Sequence, residues 1–212
     1  PLAFVSEIEA FFNDHFGLRR ALIDLRNTIE MMVFRKSPIS TVIIGEGDWL
    51  YYTGDQTSED FAGRLQMSPG ELERWRDMIT RRRDWLAERG ITYLFLVAPN
   101  KQTIYPEHLP LHAQQRGVTR AMQMAEYVRG VDIEANVLFA AEPLLAAKDK
   151  ATLFLLRDSH WNYYGAHVAF RAVMDRLRRL SKAEFDDVRL THGDFIEVPA
   201  EGGDLANMIG AM

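Results

Sequence analysis

The chain has no cysteine. Disulfides, thiolate metal sites and a cysteine nucleophile are therefore excluded, while the cellular compartment is left open. It also lacks a strong excess of either charge: 25 Lys and Arg stand against 30 Asp and Glu, a formal net charge of -5. No basic field marks a nucleic-acid partner. No apolar run reaches the roughly 18 residues that a membrane helix needs, and no signal peptide opens the chain. Internal repeats and low-complexity tracts are missing as well. What is present is a chain of 212 residues, 47% hydrophobic, long enough for one substantial core. It starts at Pro1 without an initiator Met and stops at Gly210-Ala211-Met212 just after a helix-like phrase. Both ends read as cut, and the chain is expected to be a fragment.

Leu2, Val5, Ile8 and Phe12 fall at helical spacing. Gly17 offers a stop before a second helical stretch carrying Leu18, Leu22, Leu25, Ile29, Met32 and Val33. Residues 1–36 are therefore expected to form a helical lead-in to a domain over 37–212. Thr41 to Ile44 and Trp49 to Tyr52 flank Gly45-Glu46-Gly47-Asp48, which reads as a hairpin. Ser68-Pro69-Gly70-Glu71 has the form of a capping box with proline at the first helical position, opening a helix that should end at Gly90. Its apolar face would comprise Leu72, Trp75, Ile79 and Leu86.

Ile91 to Ala98 is almost continuously apolar and runs into Pro99-Asn100, the pattern of a central parallel strand buried on both faces. A helix over Val118 to Val128, a short strand at Ala135 to Phe139, a helix at Pro143 to Lys148 and a strand at Thr152 to Leu156 continue the alternation. Asn162 can cap a helix from Tyr163 to about Leu180, with Ala166, Ala169, Phe170, Val173 and Leu177 as its buried stripe. Leu180 to Gly203 is the least patterned stretch. This βαβαβ order predicts an α/β fold, a three-layer sandwich with a mainly parallel sheet. Its sites should gather at the strand carboxyl ends, in the loops Pro99 to Pro106 and Arg157 to Asn162.

Arg157-Asp158-Ser159-His160-Trp161-Asn162 carries the chemistry. In extended backbone the side chains of Asp158 and His160 point the same way, so a carboxylate can orient an imidazole as it does for a histidine acting as base toward a serine. Two other readings stay open: local turn bonding by Asp158 and His160 with Trp161 packed, and a carboxylate-imidazole metal pair, which lacks obvious companions. Ser159 should point away from the imidazole. In the other loop Asn100 could help hold an oxyanion, Lys101 could contact an anionic sugar and Tyr105 could line the site. The alternative is a turn at Asn100 and packing at Tyr105. Trp49 and Trp161 are read as sugar platforms or as core. His108, His112 and His167 receive no role.

Asp158-Ser159-His160-Trp161-Asn162 with Tyr164-Gly165-Ala166 resembles the D-x-H-W-N-x-x-G block of the AlgJ/AlgX-like alginate O-acetyltransferases. Three further phrases follow in the family's order: Phe12 to Arg19, Ile44 to Tyr51, and Val97 to Lys101 with Ile104 to Glu107. The resemblance implies an SGNH hydrolase-like fold, incomplete here at its carboxyl end, with Asp158 and His160 as triad members. It implies acetyl transfer to a bacterial exopolysaccharide through an acetyl-serine, without a cofactor or metal. A membrane acyl-exporting protein would supply the acetyl group, other exopolysaccharide assembly proteins would be partners, and the location would be periplasmic, with an amino-terminal anchor removed. The family's G-D-S-like nucleophile block has no counterpart: the Gly-Asp pairs precede Trp49, Gln56, Phe195 and Leu205. The serine is therefore expected outside the chain, which alone would be inactive. A carbohydrate esterase with the same residues and a noncatalytic polysaccharide-binding scaffold are the alternatives.

Overall fold

A computed structural model describes residues 17–181, 190–196, 198 and 202–210. The expected first helix, Leu2 to Phe12, and the Asn13 to Phe16 part of the first family phrase lie outside the described residues. The second expected helix forms as α1, Arg19–Phe34, and closes through Arg35 in the left-handed region. The hairpin also forms: β1, Val42–Ile44, pairs antiparallel with β2, Leu50–Tyr52, in the register Val42 to Tyr52 and Ile44 to Leu50. A single 3-10 turn over Glu46–Asp48 reverses the chain, with Gly47 at φ 62.

After the short helix α2, Thr57–Phe61, the capping box closes as expected. The Ser68 hydroxyl accepts from the Glu71 amide, and the Glu71 carboxylate accepts from the Ser68 amide, at the start of α3, Pro69–Ala87. The chain then leaves through Gly90 at φ 68, where the Ile91 amide reaches back to the Leu86 carbonyl. Next come β3, Phe95–Val97, and the one-turn helix α4, Lys101–Ile104. Then follow α5, Arg120–Val131, capped by Thr119, and β4, Val137–Phe139. β3 and β4 are parallel, with Phe95 opposite Val137 and Val97 opposite Phe139, so α5 is the crossover that parallel strands require. α6, Ala141–Ala147, and α7, Tyr163–Leu180, follow, and α8, Asp204–Ile209, ends the described chain.

Ile79, Ile104, Leu109, Val128, Leu144 and Leu153 form the centre of the main core, each almost completely buried. A smaller core joins the hairpin to α8 through Val42, Leu50, Leu205, Ala206 and Ile209. No helix among the described residues is long and apolar enough to cross a membrane.

Three expectations are corrected. The run Ile91 to Ala98 yields only a three-residue strand and is not buried on both faces: Leu96 is 39% exposed and Ile91 51%. Among the described residues β3 has a ladder partner on one side only. Thr152 to Leu156 joins no sheet among the described residues. Its backbone is shared between the following turn and distant segments: the Leu155 amide donates to the His160 carbonyl and the Asn162 amide to the Leu153 carbonyl beside a single antiparallel bridge from Phe154 to Trp161, while the Leu156 carbonyl accepts from the Leu50 amide and the Leu153 amide donates to the Tyr105 hydroxyl. The described residues make a mixed α/β fold with two two-stranded sheets, one antiparallel and one parallel. On α7 the core-facing stripe is Tyr164, Val168 and Ala169, while Phe170 is exposed. Gly165 sets that rotation, because a Cβ there would run into the Leu153 carbonyl.

Candidate active site

Asn162 fixes the exit of the functional turn. Its side-chain oxygen accepts from the Gly165 amide at 2.9 Å, capping α7, while its amide nitrogen donates to the Thr152 carbonyl at 2.6 Å. The turn before it closes on Asp158. Asp158 Oδ1 accepts from the His160 amide at 2.9 Å and lies 2.7 Å from His160 Nδ1. Asp158 Oδ2 accepts from the Asp204 amide at 2.9 Å. Burial pushes the Asp158 carboxyl up, but the Asp204 and His160 amides and the His160 ring outweigh it and hold the group below its ordinary value. A carboxylate can only accept, so this contact requires a proton on Nδ1, and in the neutral ring the Nε2 lone pair is then the free one. The His160 side chain is 74% exposed against 17% for Asp158. The arrangement is an imidazole anchored at Nδ1 on a side chain that is otherwise largely exposed.

Sequence reading brings Asp158 and His160 together through extended backbone. The structure brings them together through a tight turn in which His160 folds back on the Asp158 side chain. The same turn corrects the expectation for Ser159, whose Oγ lies 3.4 Å from His160 Nδ1. It is still no nucleophile for this base, since its hydroxyl donates to Asp204 Oδ2 and Nδ1 is already committed to Asp158.

Asp204 is the residue that sequence reading missed. Asp204 Oδ1 accepts from the Ser159 amide at 2.7 Å, and Oδ2 lies 3.7 Å from His160 Nδ1. The signal was Gly202-Gly203 immediately before a carboxylate. Both glycines have positive φ, and a Cβ on Gly203 would run into the Arg157 carbonyl.

The other loop contributes differently. Lys101 is 3% exposed. Its ammonium donates to the carbonyls of Leu50, Leu155, Leu156 and Asp158 at 2.6 to 3.1 Å and lies over the rings of Trp49 and Tyr51. The expected contact with an anionic sugar is corrected: four acceptors use all three of its protons inside the fold. Tyr105 is also buried, its hydroxyl accepting from the Leu153 amide at 2.9 Å and its carbonyl accepting from the Tyr51 hydroxyl at 2.6 Å. Trp161 is half-buried against the main core, and Trp49 is buried in it, stacked on His108 with ring centres 4.5 Å apart. Asn100 alone of this group is exposed, at the start of α4 with no side-chain cap bond.

Asp158, His160 and Asp204 each offer a ligand atom within 4.8 Å of the others, supplying the companion that a metal reading lacked. Their present bonding suits a proton relay better, because a cation on Nδ1 would have to displace the proton that the Asp158 contact requires. Two open grooves, of about 770 Å³ beside Trp75 and Phe95 and about 570 Å³ along α7, include neither Asp158 nor His160 in their linings. The exposed His160 ring lies outside both grooves.

The family described as "SGNH hydrolase-like domain, acetyltransferase AlgX" matches residues 42–212. A probable alginate O-acetylase AlgJ of Pseudomonas syringae pv. tomato is 29% identical over 167 residues, 76% of this chain and 39% of the relative. The corresponding Pseudomonas aeruginosa protein is 26% identical over 196 residues, 91% of this chain and 44% of the relative. The chain thus spans about two fifths of the length of these relatives. Among solved structures, the O-acetyltransferase domain of Pseudomonas putida AlgJ superposes with a TM-score of 0.52 at 25% identity, covering 78% of this chain and 57% of that one.

Proposed function

Because the chain belongs to the AlgX family of SGNH hydrolase-like acetyltransferase domains, we propose that it supplies the acid-base part of an O-acetyltransferase acting on a bacterial exopolysaccharide such as alginate. The observation that carries this reading is the 2.7 Å contact between His160 Nδ1 and Asp158. In the proposed reaction a serine outside this chain attacks the acetyl carbonyl of the donor while His160 Nε2 takes the hydroxyl proton. Collapse of the tetrahedral intermediate breaks the bond to the donor's oxygen, which leaves with that proton. An acetyl-serine remains. A sugar hydroxyl then gives its proton to Nε2 and attacks the ester, and His160 returns the proton to the serine.

Asp158 keeps the ring in the required tautomer and stabilises its protonated form. Asn100, exposed beside α4, is the candidate donor to the oxyanion, and half-buried Trp161 the candidate contact for the sugar. No cofactor enters the scheme. The acetyl group would come from a membrane acyl-exporting protein, with other exopolysaccharide assembly proteins alongside in the periplasm and an amino-terminal segment as the anchor.

The test is the intact mass of the natural full-length protein after incubation with 4-nitrophenyl acetate, with and without an oligouronate acceptor, compared with His160→Ala. One acetyl adduct on a serine, passed to the sugar only when His160 is present, is the expected result. Free acetate with no acetylated sugar would make the enzyme an esterase. Absence of any adduct would favour a noncatalytic polysaccharide-binding scaffold.

A further inference from the structure

We infer that Asp204 is the positioning residue of this site, a second carboxylate that locks the turn bearing Asp158 and His160 in its working geometry. The inference rests on the acyl-transfer reading for its consequence and on the structure alone for its placement.

The turn and the start of α8 grip each other from both sides. Asp204 takes the Ser159 amide at 2.7 Å on one oxygen and the Ser159 hydroxyl on the other. In return the Asp204 amide donates to Asp158 Oδ2 at 2.9 Å, and the Ala206 amide donates to the Arg157 carbonyl at 3.1 Å. Consecutive residues of the turn, 157 to 159, are thereby tied to one short element. That element is not free to drift, because Leu205, Ala206 and Ile209 are buried against Val42 and Leu50 of the hairpin. The second oxygen of the Asp204 carboxylate also lies 3.7 Å from His160 Nδ1, on the same side of the ring as Asp158. Asp204 has no need to touch substrate. It acts through Ser159, whose backbone lies between the two working residues.

Substitution can isolate the carboxylate, since the backbone amide of residue 204 still reaches Asp158 in any variant. Asp204→Ala removes both acceptors of Ser159. Asp204→Asn keeps a carbonyl oxygen for the Ser159 amide while removing the charge. The experiment observes the His160 ring by nitrogen-15 NMR in this chain, and measures acetyl transfer from 4-nitrophenyl acetate to an oligouronate in the full-length protein. In Asp204→Ala the Nδ1-H signal should lose intensity to exchange, and kcat should fall roughly 100-fold with KM for the donor within about twofold, the scale of loss expected for an ångström of misplacement. Asp204→Asn should restore the NMR signal and part of kcat.

An Asp204→Ala protein with an unchanged Nδ1-H signal or an unchanged kcat overturns the inference. So does a loss that Asn does not repair at all, which would make Asp204 a purely structural clamp. If the wild-type protein transfers no acetyl group, the acyl-transfer reading fails by itself, and the NMR comparison still decides whether Asp204 places His160.

Discussion

The Lys101 ammonium donates to the Asp158 carbonyl at 3.1 Å, from directly behind the turn whose outer side presents the Asp158 and His160 side chains. It also takes the carbonyls of Leu155 and Leu156, just before the turn, and of Leu50 on β2. A buried cation thus gathers the hairpin, α4 and the functional turn at one point. The site is held from behind by Lys101 and from the side by Asp204.

This burial has a pH signature. Desolvation pushes the Lys101 ammonium down from its ordinary 10.5 to about 7, with the Asp158 and Asp204 charges pulling the other way. The unfolded chain keeps this proton up to its ordinary value, so between about 7 and 10.5 the unfolded state binds more protons and Lys101 adds stability as pH rises. Below that window both states are protonated and the full cost of burying the cation is present. Urea unfolding of wild type and Lys101→Met at about pH 6 and about pH 9 should show this rise in wild type alone. The variant should be less stable at both, by about 1 to 3 kcal/mol for each carbonyl left without a donor. Parallel pH profiles would remove Lys101 as their source.

Gly203 provides a second check on how the turn meets α8. Its φ of 142 and the Arg157 carbonyl facing its missing side chain leave no room for a Cβ. Gly203→Ala should cost about 1 to 3 kcal/mol in thermal unfolding and weaken hydrogen-exchange protection of the Ser159 amide. Gly210→Ala is the control: φ is 71 but the surrounding space is open, so only the backbone cost of about 1 kcal/mol applies. Equal effects would show that the contact with Arg157 carries no weight.

What could be read from the sequence follows the range of the interactions concerned. The caps at Ser68 and Asn162 and the hairpin turn depend on residues three or four apart, and they form as expected. Apolar continuity was a poorer guide. Ile91 to Ala98 suggested a fully buried strand, but burial is conferred by neighbours, and β3 has one ladder partner among the described residues. Asp158 and His160 were legible because they are two residues apart. Asp204 lies 45 residues beyond Ser159, and only folding brings it there. Lys101 misled for the same reason: a lysine after a strand reads as exposed, whereas its four acceptors come from segments about 50 residues away on either side.

Tyr105 separates a structural role from a site-lining one. Its hydroxyl is the acceptor for the buried Leu153 amide, so Tyr105→Phe strands that donor and should cost about 1 to 3 kcal/mol. Asn100→Ala, at an exposed position without a cap bond, should change stability by less than about 0.5 kcal/mol. Thermal melts of the two variants measure both. A neutral Tyr105→Phe would show that the Leu153 amide finds another partner and would reopen a role for the hydroxyl at the surface.

Asp158 distinguishes proton relay from metal binding. As a relay partner its carboxylate holds the proton on His160 Nδ1, whereas the amide of Asp158→Asn can donate to that nitrogen and move the ring's proton to Nε2, leaving no base on the exposed edge. Acetyl transfer by the full-length protein should then fall by roughly 10⁴-fold, the scale seen when the carboxylate of such a pair becomes an amide. EDTA should leave the rate and melting temperature of wild type unchanged, because the relay uses only protein groups. If EDTA abolishes the activity and added zinc restores it, Asp158, His160 and Asp204 are ligands. The Asp158→Asn loss would then report a vacant coordination position instead of a displaced proton.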